Sequence, residues 1–246
     1  MKRIIIYLLL FFLLLFAWQH FGDAYFNVRI LISTPRMIVN YFAINISNLG
    51  VAAMTTFTES LLGLVVATLF SFFTMILCLI YPKLLDLIVP LFVGSQVVPV
   101  IAFAPLLIMI FGLGINGKIV MAALMCFFPL FINFLSGVNM IPKSIKELIF
   151  VYDASNWFKI VRIYFPLSLP NIFTGLKISA TLSVIGAIVA EFNGADFGIG
   201  KNLFLSAKRL EPELLMASLM ISVFLGGFMY FMIWVIEKKL GKWYLK

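Results

Sequence analysis

The sequence predicts an all-α integral membrane protein with six transmembrane helices. Of its 246 residues, 63% are hydrophobic and 11% are charged, whereas soluble domains are about 45–50% apolar and about 25% charged. The mean hydropathy is +1.13, so most of this surface must face lipid. The apolar residues form six stretches that approach the length of about 20 residues needed to cross a bilayer core. Because none of the connecting segments resembles a soluble domain, we expect one transmembrane domain over residues 1–246.

The six predicted spans lie near Ile4–Trp18, Ser60–Tyr81, Ile88–Phe111, Lys118–Val138, Leu169–Ala190 and Leu214–Ile236. The first is short and follows Lys2 and Arg3, so a cleaved secretory signal peptide is the alternative interpretation. Residues 19–23 offer no small-x-small cleavage site, which favours a retained helix that extends about a turn past Trp18. Pro99 and Pro105 should kink or break the third span.

A mixed segment separates the first two spans. Thr34 and Pro35 have the residue types of a helix N-cap and first helical position. The apolar residues that follow, such as Met37, Ile38, Tyr41 and Phe42, have the spacing of one helix face. This pattern predicts a short amphipathic helix on the outer membrane surface.

The distribution of charge predicts the orientation. With a cytoplasmic N-terminus and six crossings, 12 of the 18 basic and 4 of the 10 acidic residues are cytoplasmic. The whole net charge of +8 then falls on one side, as the positive-inside rule requires. Both termini are therefore predicted to be cytoplasmic. The basic residues form no aromatic-interleaved patch, so a nucleic-acid partner is not indicated.

The segment at residues 139–166, between the fourth and fifth spans, is far more polar than its flanks. Pro142 and Pro166 bracket it, and its pattern predicts helices near 145–152 and 156–163. Two short helices joined by three residues would make a compact cytoplasmic knob. An ordinary amphipathic connector is the alternative interpretation of this pattern.

This knob resembles the signature loop of ABC importer permeases, the inner-membrane components of binding-protein-dependent importers. That family shows Glu-Ala-Ala, three residues, Gly, nine residues and then Ile-x-Leu-Pro. Here Glu147-Leu148-Ile149 stands at the first block, Asp153 at the glycine and Ile163-Tyr164-Phe165-Pro166 at the last. The spacing is intact, although the two alanines, the glycine and the leucine are replaced. Asp tolerates left-handed backbone better than most residues, so the turn can survive at Asp153.

The resemblance extends over residues 55–240. It includes residues 95–106 in the third span, 111–119 after it, 169–177 at the start of the fifth span and 190–200 after its end. The branch that the sequence resembles most transports nitrate, sulfonates, taurine and pyrimidine-type thiamine precursors. The family usually has an arginine in the second span where this chain has Glu59.

The resemblance implies a type I ABC importer permease: a transport subunit of a bacterial inner membrane rather than an enzyme. It would move a small solute inward by alternating access, for example a sulfonate, a nitrate-like anion or a pyrimidine-type vitamin precursor. The implied partners are two ABC ATPase subunits carrying ATP and magnesium, a periplasmic or lipid-anchored substrate-binding protein and membrane lipid. Because five or six spans do not easily enclose a pathway, we also expect a second permease copy in a homodimer, or a pair with a sister permease. The implied ATPase-coupling residues are Glu147, Leu148, Ile149, Asp153, Ala154, Trp157, Ile163 and Pro166.

Other polar residues suggest a transport pathway. Ser95 and Gln96, in the third span, could line a polar pathway or bond to a neighbouring helix. Glu191, at the outer end of the fifth span, could serve as a pathway or gate residue or could be an acid solvated at the interface. Lys177 is expected to reach the cytoplasmic interface, with a contact to the substrate as the alternative.

Three patterns do not indicate chemistry in this chain. Residues 112–118 match the phosphate-loop pattern, but Ile119 replaces the serine or threonine that holds magnesium. We therefore expect ATP to be bound by another chain. Cys78 and Cys126 lie within apolar runs without metal or redox spacing, and His20 is the only histidine. No cofactor or metal site is predicted.

Two other functions remain as alternatives. An ion-gradient-driven secondary transporter would need paired intramembrane acids or an inverted repeat. Neither is apparent, since Glu59 and Glu191 are both predicted at outer ends. A non-transporting membrane scaffold would not need the knob at family spacing.

Overall fold

The computed structural model describes residues 2–25, 33–192 and 194–241, and every regular element in these ranges is helical. The helices are α1 (Lys2–Tyr25), α2 (Pro35–Ile80), α3 (Lys83–Ser95), α4 (Ala104–Phe111), α5 (Ile115–Asn139), α6 (Lys143–Val151), α7 (Asn156–Lys159), α8 (Phe165–Glu191), α9 (Ile199–Arg209) and α10 (Pro212–Gly241). A 3₁₀ turn at Val100–Phe103 precedes α4, and a π-helical turn at Ile160–Tyr164 joins α7 to α8.

Five of the six predicted spans correspond to helices that are long and apolar enough to cross a bilayer. Four are single helices: α2, α5, α10 and the continuous helix Asn156–Glu191. The third predicted span corresponds to a broken pair of helices, Lys83–Ser95 followed by Val100–Phe111, which bends by 89°. The first predicted span is helical from Lys2 and extends past Trp18 to Tyr25. The count of six crossings and the orientation stay predictions.

The break in the third span lies where the sequence predicted it. α3 ends at Ser95, and the chain resumes helical structure only at Val100, directly after Pro99. Pro105 lies in the first turn of α4, where the missing N–H has no intrahelical partner to lose. Pro99 therefore marks the break, and Pro105 starts the helix that follows it.

The predicted surface helix is the first part of α2. It begins at Pro35 after Thr34 in extended conformation, as predicted, and a kink at Asn45 (φ −109°, ψ 17°) separates it from the second span. The Asn45 amide donates to the Tyr41 carbonyl at 3.2 Å, which is a common cause of helix kinks. Tyr41 and Phe42 pack against Leu214 and its neighbours on α10. Part of the apolar face is thus covered by protein, since Ile38 is also buried, whereas Met37 is exposed.

α5 and α8 form the centre of the bundle and make its most extensive helix contact. Their backbones approach closely because glycines lie at the crossing: a Cβ on Gly186 would come within 2.7 Å of the Ala122 Cα. Cys126 and Ser179 bridge the two helices, since each side chain donates to the backbone carbonyl of the other residue. Cys78 and Cys126 are both free and buried, as the sequence predicted.

Candidate functional site

The predicted knob is a bent segment that we call the coupling elbow, residues 143–166. α6 ends at Val151, and Asp153 adopts left-handed backbone with φ of 43°. The Ala154 N–H donates to the Ile149 carbonyl at 3.4 Å. A left-handed residue followed by this bond is the Schellman arrangement that usually ends in glycine. Asp153 therefore forms the turn that the family's glycine would form.

The second half of the coupling elbow differs from the prediction. α7 begins at Asn156, where the Ser155 hydroxyl accepts from the Phe158 N–H at 3.3 Å. The predicted stop before Pro166 is wrong, because the helix continues through the π-helical turn into α8. Proline normally clashes with the carbonyl four residues before it. The wide π turn directly before Pro166 relieves this clash, so the chain stays helical to Glu191.

The predicted coupling residues occupy two environments. Glu147, Leu148, Asp153 and Trp157 are exposed, Ile149 is buried, and Ala154, Ile163 and Pro166 are half-buried. A groove of about 530 Å³ lies between the two arms, lined by Leu148, Ile149, Tyr152, Ala154, Ser155, Phe158 and Ile163. An exposed apolar groove of this kind suits contact with another protein.

Two aromatic residues of the coupling elbow were not among the predicted site residues. Tyr152 is 76% exposed and Phe158 is 51% exposed. Their signal in the sequence was the presence of aromatics within a polar, charged segment. They enlarge the exposed apolar surface next to Trp157.

Ser95 and Gln96 lie at the break between α3 and the 3₁₀ turn, and both are exposed. The Ser95 hydroxyl donates to the Phe92 carbonyl of its own helix at 2.8 Å. Whether Ser95 lines a pathway or contacts a helix of another chain stays a prediction. The break leaves both polar side chains on an open face of the bundle.

Glu191 lies at the other end of α8, in a buried group that we call the acid cluster: Thr56, Glu59, Lys118, Glu191 and Gly200. Glu191 Oε1 accepts from the Thr56 hydroxyl at 2.6 Å, and Oε2 accepts from the Gly200 N–H at 2.5 Å. The Lys118 ammonium forms a salt bridge of 2.9 Å with Glu59 Oε1. Glu59 and Glu191 are each only 1% exposed.

The acid cluster holds four helices together. Thr56 and Glu59 belong to α2, Lys118 to the first turn of α5 and Glu191 to the last turn of α8. The first turn of α9 supplies backbone donors, since the Ile199 N–H also donates to the Thr56 hydroxyl at 2.9 Å. The Glu191 carboxylate thus caps the N-terminus of α9, a position that favours negative charge.

Two glycines make room for this carboxylate. A Cβ on Gly198 would collide with the Glu191 carboxyl group, and Gly198 also has φ of 137°, which side chains rarely adopt. A Cβ on Gly200 would collide with the Ile188 carbonyl and lie 2.7 Å from the Glu191 Cβ. The Gly-Ile-Gly sequence at 198–200 is therefore explained by the close approach of α9 to Glu191.

Two predictions about these acids are wrong. Glu191 is not a solvated acid at a helix end, because its carboxylate is enclosed and hydrogen-bonded. The expectation that paired acids are absent is also wrong, because Thr56 lies one turn before Glu59 on α2 and donates to Glu191, which brings the two carboxyl groups side by side. The sequence did carry one signal of this arrangement. Glu59 and Lys118 have opposite charges and were predicted at the same side of the membrane.

The coupling elbow and the acid cluster lie at opposite ends of the bundle. α5 runs from the acid cluster at Lys118 to the coupling elbow after Asn139, and its 25 residues span about 37 Å at 1.5 Å per residue. Near the elbow end, Lys177 of α8 forms a salt bridge of 2.9 Å with Glu237 of α10. If the coupling elbow is cytoplasmic, as the charge distribution predicts, the acid cluster is at the external end.

Several known proteins are similar to this chain in sequence. The profile of the binding-protein-dependent transport system inner membrane component family matches residues 61–240. A probable ABC transporter permease protein of Haemophilus influenzae is 28% identical over 226 residues, which cover 92% of each chain. A formylaminopyrimidine transport permease of Halalkalibacterium halodurans is 39% identical over 111 residues, 45% of this chain and 44% of that protein. A riboflavin transport system permease of Chloroflexus aurantiacus is 30% identical over 154 residues, 63% of this chain and 58% of that protein.

The profile covers most of the chain, including the coupling elbow and three members of the acid cluster, Lys118, Glu191 and Gly200. It also agrees with the all-α fold and with several helices long enough to cross a membrane. The chain therefore belongs to the family of binding-protein-dependent transport system inner membrane components, the ABC importer permeases, and is a multi-pass inner-membrane protein.

Proposed function

We propose that this permease docks its coupling elbow onto a separate ATPase subunit and converts ATP hydrolysis into inward solute transport. The observation that carries the proposal is the exposed apolar surface of the coupling elbow. Leu148, Tyr152 and Trp157 are 57%, 76% and 66% exposed, although they lie in a segment that is far more polar than its flanks. Large exposed apolar patches mark sites of protein contact.

The continuity of the helix Asn156–Glu191 suggests how the movement is transmitted. A partner that displaces α7 also displaces α8, because no flexible joint separates them. The far end of α8 carries Glu191, which is bonded to α2 and α9. Movement of the coupling elbow would thus reach the opposite end of the bundle, as alternating access requires.

The complete transporter would contain two ATPase subunits, a substrate-binding protein and a second permease copy. The exposed break at Ser95 and Gln96 supports the second copy. An open polar face of this kind is costly in lipid but suits a pathway that is shared between two permeases. ATP and magnesium would be bound by the ATPase subunits.

The substrate is proposed by class. Relatives are described as permeases for aliphatic sulfonates, nitrate, formylaminopyrimidine and riboflavin. We propose a small solute of the first three kinds: a sulfonate, a nitrate-like anion or a pyrimidine-type vitamin precursor. Uptake of labelled taurine, nitrate and formylaminopyrimidine by cells with and without this permease tests the three classes against each other.

Charge reversal on the coupling elbow tests the docking. Glu147→Lys should prevent co-purification of the ATPase subunit and abolish ATP-dependent uptake, because Glu147 is an exposed charge at the predicted contact. Asp86→Lys is the matched control, because it also reverses the charge of an exposed acidic residue on the same predicted side of the membrane. Retention of the ATPase by Glu147→Lys, with normal uptake, would show that the coupling role is wrong.

One observation favours a second function. The buried neighbours Glu59 and Glu191 are the paired acids that a proton-driven secondary transporter would use. Measurement of uptake with a protonophore and with an ATPase-inactive partner separates the two mechanisms. An ABC importer loses uptake with the inactive ATPase, whereas a proton-driven carrier loses it with the protonophore. A non-transporting scaffold would show no uptake even with an active ATPase and without the protonophore.

A further inference from the structure

The acid cluster has one acceptor more than its donors can satisfy. Three of its four carboxylate oxygens accept a hydrogen bond: from Lys118, from Thr56 and from Gly200. The fourth, Glu59 Oε2, is buried and has no hydrogen-bond donor among the described residues. A buried carboxylate oxygen without a partner costs free energy. A further hydrogen-bond donor is therefore expected at Glu59 Oε2.

The charge of the acid cluster points to the identity of that donor. Two buried carboxyl groups lie side by side, and a single cation, Lys118, contacts Glu59. If both carboxyl groups were ionised, the enclosed site would carry a net negative charge and an unscreened repulsion. Neighbouring carboxylates avoid this repulsion by binding one proton between them.

We propose that Glu59 and Glu191 form a proton-binding site that holds one proton, with Glu59 Oε2 donating it to the Glu191 carboxylate. The proton supplies the missing donor and makes the group of two carboxyls and one ammonium neutral. Glu59 is the protonated partner because both oxygens of Glu191 already accept bonds from Thr56 and Gly200. The bound proton then completes the connection between α2 and α8.

No other charged side chain within the described ranges changes this balance. α5 contributes Lys118, α2 contributes Glu59, and α8 contributes Glu191. α9 contributes only backbone N–H groups, from Ile199 and Gly200, and its Lys201 ammonium donates to the Asp196 carbonyl instead. α10 contributes no recorded contact to the acid cluster.

The protonated site would hold α2, α8 and α9 together at this end of the bundle. Removal of the proton would place two negative charges against each other beside the N-terminus of α9. The consequence for transport rests on the proposed function, since α9 would then loosen at the end opposite the ATPase. Proton binding itself can be tested on the permease alone.

A pair of amide substitutions distinguishes the two carboxyl groups. In Glu59→Gln the amide oxygen can still accept from Lys118 while the amide N–H₂ donates to Glu191, which copies the protonated state. Glu191→Gln places an N–H₂ group against the Thr56 hydroxyl or the Gly200 N–H, so a donor faces a donor. We expect Glu59→Gln to keep the melting temperature of the wild type at neutral pH and Glu191→Gln to lower it.

Infrared spectroscopy of the purified full chain in lipid nanodiscs measures the proton directly. The wild type should show a protonated-carboxyl C=O band at neutral pH, and Glu59→Gln should lose it. Glu237→Gln is the matched control, because Glu237 also pairs with a lysine at 2.9 Å but has no second acid recorded beside it. That variant should keep the band.

The melting temperature should also depend on pH in a defined direction. The folded wild type holds a proton that its unfolded chain releases, so its stability falls as the pH rises from neutral to alkaline. Glu59→Gln should lose this alkaline decrease. Absence of the band in the wild type at neutral pH would overturn the proposal, as would an equal loss of stability in both amide variants. These readouts require no transport, so their failure would leave the ABC importer function standing.

Discussion

At one end of α8, the acid cluster encloses its carboxylates among donors from three helices, whereas at the other end the coupling elbow leaves aromatic side chains exposed. Glu191 is 1% exposed, and Trp157 is 66% exposed. Both ends carry residues that the sequence singled out. The buried residues of the acid cluster stabilise this chain, whereas the exposed residues of the coupling elbow are available to a partner protein.

The difference has a physical origin. A buried carboxylate must find its donors within the chain, because unsatisfied polar groups in a low-dielectric interior are costly. An exposed apolar side chain has no such requirement, but it gains free energy when another protein covers it. Substitutions at the acid cluster should therefore change folding, and substitutions at the coupling elbow should change binding.

Gly200→Ala should have the largest effect on stability. The new Cβ would collide with the Ile188 carbonyl and lie 2.7 Å from the Glu191 Cβ, and backbone cannot move aside as a flexible side chain can. Overpacking of this kind costs about 1–3 kcal/mol, and occasionally more. We expect loss of the folded permease or a strongly reduced melting temperature in nanodiscs.

Gly227→Ala is the control for this prediction. No atom lies within 4 Å of the position that its Cβ would occupy, and alanine favours helix over glycine by about 1 kcal/mol. Its melting temperature should equal or exceed that of the wild type. Equal behaviour of the two variants would contradict the tight packing of α9 on α8.

Thr56→Val should have the next largest effect on stability. The substitution keeps the shape of the side chain but removes the hydroxyl that donates to Glu191 and accepts from the Ile199 N–H. The Glu191 carboxylate and the Ile199 N–H would each lose a hydrogen-bond partner, which should destabilise the fold by about 1–3 kcal/mol. Thr55→Val is the matched control, because the Thr55 hydroxyl bonds only to the Val51 carbonyl at an exposed site. Chemical denaturation of both variants in mixed micelles would reveal whether the loss is confined to Thr56.

Trp157→Ala should affect binding rather than folding. The side chain is exposed, so the stability of the permease should change by less than about 0.5 kcal/mol. An aromatic anchor at a protein interface contributes about 2 kcal/mol or more, which corresponds to a loss of about 30-fold in affinity for the ATPase subunit. Phe197→Ala, at an exposed site of 62% near the acid cluster, should leave that affinity unchanged. Titration of labelled ATPase onto nanodiscs compares the two, and equal losses would contradict a specific contact.

The sequence predicted most helices because their signal is local. The predicted spans Lys118–Val138 and Leu169–Ala190 correspond to α5 at Ile115–Asn139 and α8 at Phe165–Glu191. Hydropathy determines such spans, and of the two prolines predicted to kink or break the third span, Pro99 lies at the break and Pro105 in the first turn of the helix after it. The continuation of the helix through Pro166 could not be predicted, because it depends on a π-helical turn that no residue type specifies.

The acid cluster was only partly predictable, because its bonds join distant parts of the chain. Thr56 and Glu191 are 135 residues apart in sequence, and Glu59 and Lys118 are 59 apart. Glu191 could be singled out as an acid next to an apolar run. Whether it faced water or a partner depended on how α2 and α9 pack against α8, which a single sequence does not encode locally.

Asp153 gives the smallest expected effect and tests the coupling elbow at its turn. Asp153 has φ of 43°, where glycine is free of strain and β-branched residues are strained. Asp153→Gly should therefore keep or slightly increase ATPase affinity, while Asp153→Val should raise the energy of the turn by about 1–2 kcal/mol. The valine variant would spread the two arms of the coupling elbow and weaken binding by about tenfold, with the melting temperature of the bundle unchanged because α6 lies outside its core. If glycine and valine bound the ATPase equally, the geometry of this turn would not matter for docking, and the exposed side chains alone would define the contact.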